Sequence, residues 1–319
     1  MKKCAFINPY FGKLPKTFPV FLKTCEKNPD FEWLFFTDDE SDYDYPQNVK
    51  RILMTFDEMR ELAQSKFDFP IVLNQPYKLC DYKPAYGLIF EDYIKEYRFW
   101  GHCDVDTIMG NLGRFIDDKM LDEYDKIFCL GHMILYRNSF ENNRVFMKEA
   151  RGRYFYKESF TTEKITAFDE TWDENTTVNT VFVDNGYKVM MEDWSVNFQI
   201  LPTRFTRVVF NPEKYGFDVF PYERAVYVWD NGDIKKYYME KGKLCHKEEL
   251  YMHFQSRDMK FSEDVLTSDL FKIVPNRYCA LSRNIDCDRD FYRESRPVLS
   301  FHYFQLKWKR FMKRMKKNG

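Results

Sequence analysis

The stretch "FWGHCDVDTIMG", residues 99–110, is an aromatic run that ends in two carboxylates one residue apart, Asp104 and Asp106. Such a run reads as a buried strand, so "YRFWGHC" delivers both acids at its carboxyl end. Acidic residues also close strands as ordinary polar turns, and the triplet alone does not separate a metal-holding corner from a plain one. The flanking sequence has to decide.

Upstream, Tyr86, Phe90, Tyr93, Ile94 and Tyr97 recur at helical spacing, and Pro84 suits a first helical turn because its missing N–H costs nothing there. This predicts a helix with Asp81 and Lys83 just ahead of it. Further back, "KKCAFINPYF" reads as an opening strand that breaks at Asn8-Pro9, and "FPVFLKTCEKNP" places residues 18, 21, 22 and 25 on one helical face. "DFEWLFFTDDE" follows as a buried strand ending in Asp38 and Asp39. Strand, helix and strand in that order predict a parallel α/β unit. Ligands of such sheets bind beyond the carboxyl ends of the strands, so Asn8 and the Asp38-Asp39 pair are expected in one crevice. "NVKRILMTF" and "FDEMRELAQSKF" add a strand and a helix.

Downstream, "YDKIFCLGHMILYRN" reads as two short strands around Gly131-His132. The stretch holding Asp169, Glu170, Asp173 and Glu174 is polar and irregular, as a loop is. Residues 204–260 read as strand pairs around the turn signals "DNGD" and "KGK". The simplest division is one domain over residues 1–260 and an extension over 261–319.

The chain has 319 residues, 44% apolar and 19% aromatic, enough for a large α/β core and too apolar for disorder. Its eight cysteines include no C-x-x-C pair, which argues for reduced thiols and against zinc. The start "MKKCAFINPYFGKLPK" shows no signal peptide and no apolar run is long enough to span a bilayer, so a cytoplasmic protein is expected. The net charge of −1 hides an asymmetry: without the seven cations of residues 303–319, 42 basic residues face 50 acidic ones, a balance of −8. An acidic body of this kind repels nucleic-acid phosphates.

Two carboxylates one residue apart on a turn can approach one divalent cation, and Mg²⁺ and Mn²⁺ both prefer oxygen ligands. A neutral imidazole adds a further ligand, more natural for Mn²⁺. His253 in "LYMHFQSRD" is the best candidate, although a histidine on such a run also serves as a hydrogen-bonded structural group.

The order of "FFTDDE", "CDYKPAYGLIFEDY", "FWGHCDVDTIMG", "AFDETW" and "HFQSR" resembles GT-A glycosyltransferases of bacterial surface-polysaccharide synthesis and, more distantly, the D-x-D sugar-binding transferases. The resemblance covers about residues 4–260 and is strongest over 79–113. It implies a Rossmann-like α/β fold with a mixed sheet flanked by helices, and a hexosyltransferase using a nucleotide-diphosphate sugar, with uridine diphosphate as the carrier. It further implies that Asp104 and Asp106 bind Mn²⁺ or Mg²⁺ and the donor, with His253 completing the metal site. Asp81 and Lys83 would contact the donor sugar or diphosphate, and Asp38 and Asp39 would lie on the donor side, where the strand-end reading also puts Asn8; Gly131-His132 either lines the acceptor side or is a strand-end turn. Asp169 or Glu170 would be the general base, or would only position the acceptor. Position 83 is Lys where the distant relatives have Arg, so a bidentate phosphate clamp does not follow.

The tail "FHYFQLKWKRFMKRMKKNG" sets Phe301, Phe304, Trp308, Phe311, Met312 and Met315 along a helical stripe among cations. Such a helix suits the plane of an anionic membrane surface, where each cation adds about 1 kcal/mol. This predicts a peripheral protein on the inner face of the plasma membrane, acting on a lipid-linked or polysaccharide acceptor, with nucleic-acid binding through the basic run and docking of the stripe on the body as the two alternatives. Two rival readings are a haloacid-dehalogenase-type phosphohydrolase using Asp104 and Asp106, and a non-catalytic membrane-binding protein. The first needs its motif near the start of the domain, whereas about a hundred residues precede it here.

Overall fold

Alternate residues of the first strand, Lys2–Pro9 (β1), enter different apolar clusters: Ala5 and Ile7 join one, Cys4 and Phe6 the other. Burial on both faces is what a parallel strand covered by helices requires. β1 pairs in parallel with Phe31–Thr37 (β2), and β2 with Val49–Leu53 (β3). On its other side β1 pairs in parallel with Tyr97–Cys103 (β4). The connecting helices Phe18–Glu26 and Phe56–Gln64 contribute to opposite clusters, Phe18 and Phe21 to one, Met59 and Ala63 to the other. The second of these helices starts with a reciprocal capping box between Thr55 and Glu58. Past β4 the chain turns at Asp104–Asp106 into Thr107–Met109 (β5), which leaves this sheet. Lys126–Leu130 (β6), Met133–Arg137 (β7) and Val189–Met190 (β8) complete it in the order β3-β2-β1-β4-β7-β6-β8.

The computed structural model describes residues 2–170, 177–199, 204–255, 257 and 259–297, with Phe304, Gln305, Lys307, Trp308, Phe311, Met312 and Met315 of the tail. A second sheet joins Ser195–Gln199 (β9), Thr206–Asn211 (β10) and Gly216–Val219 (β11) to β5 through a late strand described below. A third sheet is antiparallel: Ala225–Asp230 (β12), Asp233–Glu240 (β13) and Lys243–Glu249 (β14) form successive hairpins. Its first turn pairs Asp230 with Asp233 across Asn231 and Gly232, both at positive φ, the geometry that the "DNGD" signal calls for. Tyr251–His253 (β15) then returns to the second sheet, whose order is β11-β10-β9-β15-β5. Leu270–Val274 (β16) and Arg277–Ala280 (β17) complete the third, ordered β14-β13-β12-β16-β17. The described chain is thus a mixed α/β fold with its sheets flanked by helices.

Two expectations are corrected. The helix predicted after Pro84 forms only as single turns: α-helical Leu79–Tyr82 and Tyr86–Ile89 alternate with 3-10 turns Lys83–Ala85 and Glu91–Tyr93. Pro84 contributes no N–H, and burial of Tyr82, Tyr86, Ile89 and Phe90 in the aromatic core holds the segment instead of a continuous ladder. The division at residue 260 cuts the third sheet, because β16 pairs with β12 across it. In the tail, the described residues are helical, and Phe304, Trp308, Phe311, Met312 and Met315 are exposed. Phe301 and the cations other than Lys307 lie outside the described residues. Among the described residues no helix is long and apolar enough to cross a membrane.

Candidate functional site

The order β3-β2-β1-β4 reverses direction at β1, which makes the gap between the carboxyl ends of β1 and β4 a topological switch point. Asn8 ends one strand there, and its amide is tied to the Cys103 carbonyl at the end of the other. The next residues form the Asp104–Asp106 corner. Asp104 N–H donates to His132 O and Phe254 N–H to Asp106 O, each at 3.0 Å, while the Thr107 hydroxyl donates to Asp104 O at 2.7 Å.

Antiparallel pairing of β5 with β15 places His253 opposite Thr107, one residue past Asp106. The imidazole Nε2 lies 3.5 Å from Asp106 Oδ1 and 3.8 Å from Asp104 Oδ2. One ligand atom from each of the three residues lies within 4.8 Å of the others. Two carboxylate oxygens and one imidazole nitrogen at that span fit a single Mn²⁺, and the oxygens also suit Mg²⁺. Burial works against the charged ring of His253, but Asp106, Asp104 and Glu170 outweigh it and hold its pKa above the usual value.

His132 stacks on His253 with ring centroids 4.3 Å apart, and its Nδ1 shares a 2.8 Å hydrogen bond with the Tyr251 hydroxyl. Burial, and after it the charges of His253 and Lys83, push the His132 pKa well down, so this ring is neutral. A neutral ring clamped by Tyr251 fixes the plane in which His253 sits.

Lys83 spans the floor. Its Nζ lies 2.9 Å from Asp104 Oδ1, 2.8 Å from Gly131 O and 3.2 Å from Asp169 Oδ2. Burial alone would lower its pKa; Asp104 and Asp169 reverse this and keep it charged. Lys83 therefore orients an acid of the centre, where sequence had given it only a donor contact. Asp169 is itself buried; burial pushes its carboxyl up, Lys83 opposes this, and Glu170 and Asp104 add to it. A β-carbon on Gly131 would stand 2.5 Å from Glu170 Cγ and 2.6 Å from Asp169 Oδ2, so only glycine lets these acids approach.

Two cavities flank the triad. One, of about 530 Å³, lies over the switch point and is lined by Asn8, Tyr10, Tyr77, Lys83, Asp104 and Asp106 among others. The other, of about 580 Å³, is lined by His132, Glu170, Asn197, Phe217, His253 and Gln255 among others. Gln255 borders both at φ +53°, a strained value for a side chain of this type, and its Nε2 donates to Asn197 Oδ1 at 2.8 Å.

A family model described as a family of unknown function, DUF6625, matches residues 6–282. The chain belongs to DUF6625. No curated protein matches it. The DUF6625 match spans every residue of the triad and both cavities, runs through β17 and stops short of the tail.

Three sequence assignments do not reach the cleft of this DUF6625 chain. Asp81 is fully buried: Lys78 Nζ meets Oδ2 at 2.6 Å, and the Thr166 and Phe168 amides donate to its oxygens. It anchors the segment before Asp169 and does not face a donor. Asp39 is likewise buried and receives Lys13 Nζ, Leu14 N–H and Ser41, while Asp38 accepts from Gly12 N–H at 2.7 Å. Both fasten the loop after β1 instead of lining the crevice. Asp173 and Glu174 lie outside the described residues. Tyr251, Asn197 and Gln255 were not singled out as site residues from sequence; only the nearness of Gln255 to His253 hinted at one.

Proposed function

We propose that this chain is a GT-A glycosyltransferase that moves a hexose from a nucleotide-diphosphate sugar, uridine-linked by resemblance, to a lipid-linked or polysaccharide acceptor at the inner membrane surface. The observation that carries this reading is the meeting of Asp104, Asp106 and His253 at the switch point, between two cavities of substrate size.

Asp104, Asp106 and His253 would hold Mn²⁺ or Mg²⁺, whose charge when bound would stabilise a departing diphosphate. The remaining steps belong to side chains of this chain. Tyr10 and Tyr77 give the switch-point cavity two aromatic faces against which a base can stack. Lys83 holds Asp104 in place through its 2.9 Å contact. Glu170, on the opposite cavity, is the acid able to take a proton from an acceptor hydroxyl if the anomeric centre inverts. Asp169 is held against Lys83 and positions the loop that carries Glu170. The exposed aromatic stripe of the tail, with the cations of residues 307–317, supplies contact with an anionic bilayer.

Incubation with a panel of nucleotide sugars, with Mn²⁺ and with chelator, tests the reading. Metal-dependent release of one nucleoside diphosphate is expected. Absence of turnover across the panel, or release of inorganic phosphate from simple esters, contradicts it.

A further inference from the structure

The two cavities differ in charge, and the difference bears on what each accepts. The switch-point cavity holds two cations, Lys83 and Arg257. Among the described residues lining the Glu170 cavity there is no lysine or arginine, and its acid is Glu170. A second anion placed here would meet Glu170 with no lysine or arginine among the described lining residues, and with His253 already facing Asp104 and Asp106, which is costly away from water.

Uncharged polar recognition is built in. Asn197 is 4% exposed; its Oδ1 accepts from Gln255 Nε2 and from Phe198 N–H, while its Nδ2 donates to no described residue. Gln255 Oε1 likewise accepts from no described residue, so the pair presents one donor and one acceptor beside His253. Adjacent sugar hydroxyls, each able to donate and accept, match that pair. Val208, Phe217 and Val219 of β10 and β11 give the cavity an apolar wall for the C–H face of a ring. At about 580 Å³ the space falls within the range of small-ligand sites, roughly 300–1,000 Å³.

We infer that this cavity binds the acceptor as an uncharged sugar ring, that Asn197 and Gln255 read its hydroxyls, and that it rejects uronic acids and sugar phosphates. The inference rests on the transferase reading for the word acceptor, but its test does not depend on turnover. Saturation-transfer NMR on the full chain with diamagnetic Mg²⁺ and uridine diphosphate compares methyl glycosides of glucose, galactose and N-acetylglucosamine with methyl glucuronide and glucose 6-phosphate. Neutral glycosides are expected to bind and the two anionic sugars are not.

Asn197→Ala should weaken the neutral glycosides by about tenfold, the upper end of the net worth of one neutral hydrogen bond. Val219 is 53% exposed, so Val219→Lys leaves folding intact and places a cation on the rim; it should bring methyl glucuronide into the bound set. Equal binding of anionic and neutral sugars, binding unaltered in both variants, or no binding of any glycoside overturns the inference. Selective glycoside binding in a protein that turns over no nucleotide sugar would instead remove the transferase reading and leave the cavity assignment standing.

Discussion

Asp104 shares one oxygen with Lys83, whereas Asp106 faces His253 from a position about one-third exposed. Asp106→Ala therefore removes one of the proposed metal ligands without breaking a buried pair. Turnover should fall by more than about 100-fold, since loss of a mere supporting neighbour of a metal ligand costs roughly 10–100-fold. Circular dichroism should be unchanged, and full activity in that variant contradicts the metal assignment. Gly131→Ala acts differently: its β-carbon displaces Asp169 and Glu170, so activity should drop along with roughly 1–3 kcal/mol of stability, read by urea denaturation. At this scale the triad was legible because each member ends a strand-like run. Asp39 and Asp81 were not, because residue type does not tell which way a carboxylate points. The amides that occupy Asp81 come from residues 166 and 168, more than eighty positions away.

Among elements, the hairpins were readable because Asn-Gly and Lys-Gly at positive φ announce their turns. The 79–93 segment was not, because its periodicity comes from burial in a tertiary aromatic core and not from a continuous helix. β6 carries a further feature that pattern does not reveal. Lys126 is fully buried, bonded to Phe128 O at 2.6 Å and to Asn179, and burial lowers its pKa to about 7. The folded pKa lies below the unfolded one, so between them the unfolded chain binds more protons and stability rises with pH. From pH 7 to 8 this contributes on the order of 1 kcal/mol. Higher pH brings the opposite effect of buried thiols such as Cys4 and Cys25, whose pKa values burial raises. Urea midpoints of the wild type and Lys126→Met should diverge over that window, the variant lacking the rise; parallel curves contradict it. The tail is testable as a unit: truncation after residue 300 should lower partition onto anionic vesicles, with the loss shrinking as salt screens the cations. Unchanged partition removes the membrane argument.

Across the whole molecule, the site exists only because β4 and β5 belong to different sheets and β15 returns, after three hairpin strands, to pair with β5. Sequence order indicated a parallel α/β start, but nothing local specifies which strand β15 joins; that choice is made by the buried faces of Ile108, Val196 and Met252 meeting in one cluster. A centre suspended between two sheets should also tie them together when filled. Ligands that bind only the folded state stabilise it by about 2.7 kcal/mol at a hundredfold excess over Kd, which for a chain of this size is a rise on the order of 5 °C in Tm. If a diphosphate is held through a cation at Asp104, Asp106 and His253, neither ligand alone should give that rise. Uridine diphosphate with Mn²⁺ should exceed the sum of the separate shifts in differential scanning fluorimetry, since that excess is the coupling free energy between the two. Chelator should return the curve to its starting point, and Asp106→Ala should abolish the excess. Strictly additive shifts would mean that nucleotide and cation occupy independent sites, and the meeting of the triad with the switch-point cavity would then have no part in donor binding.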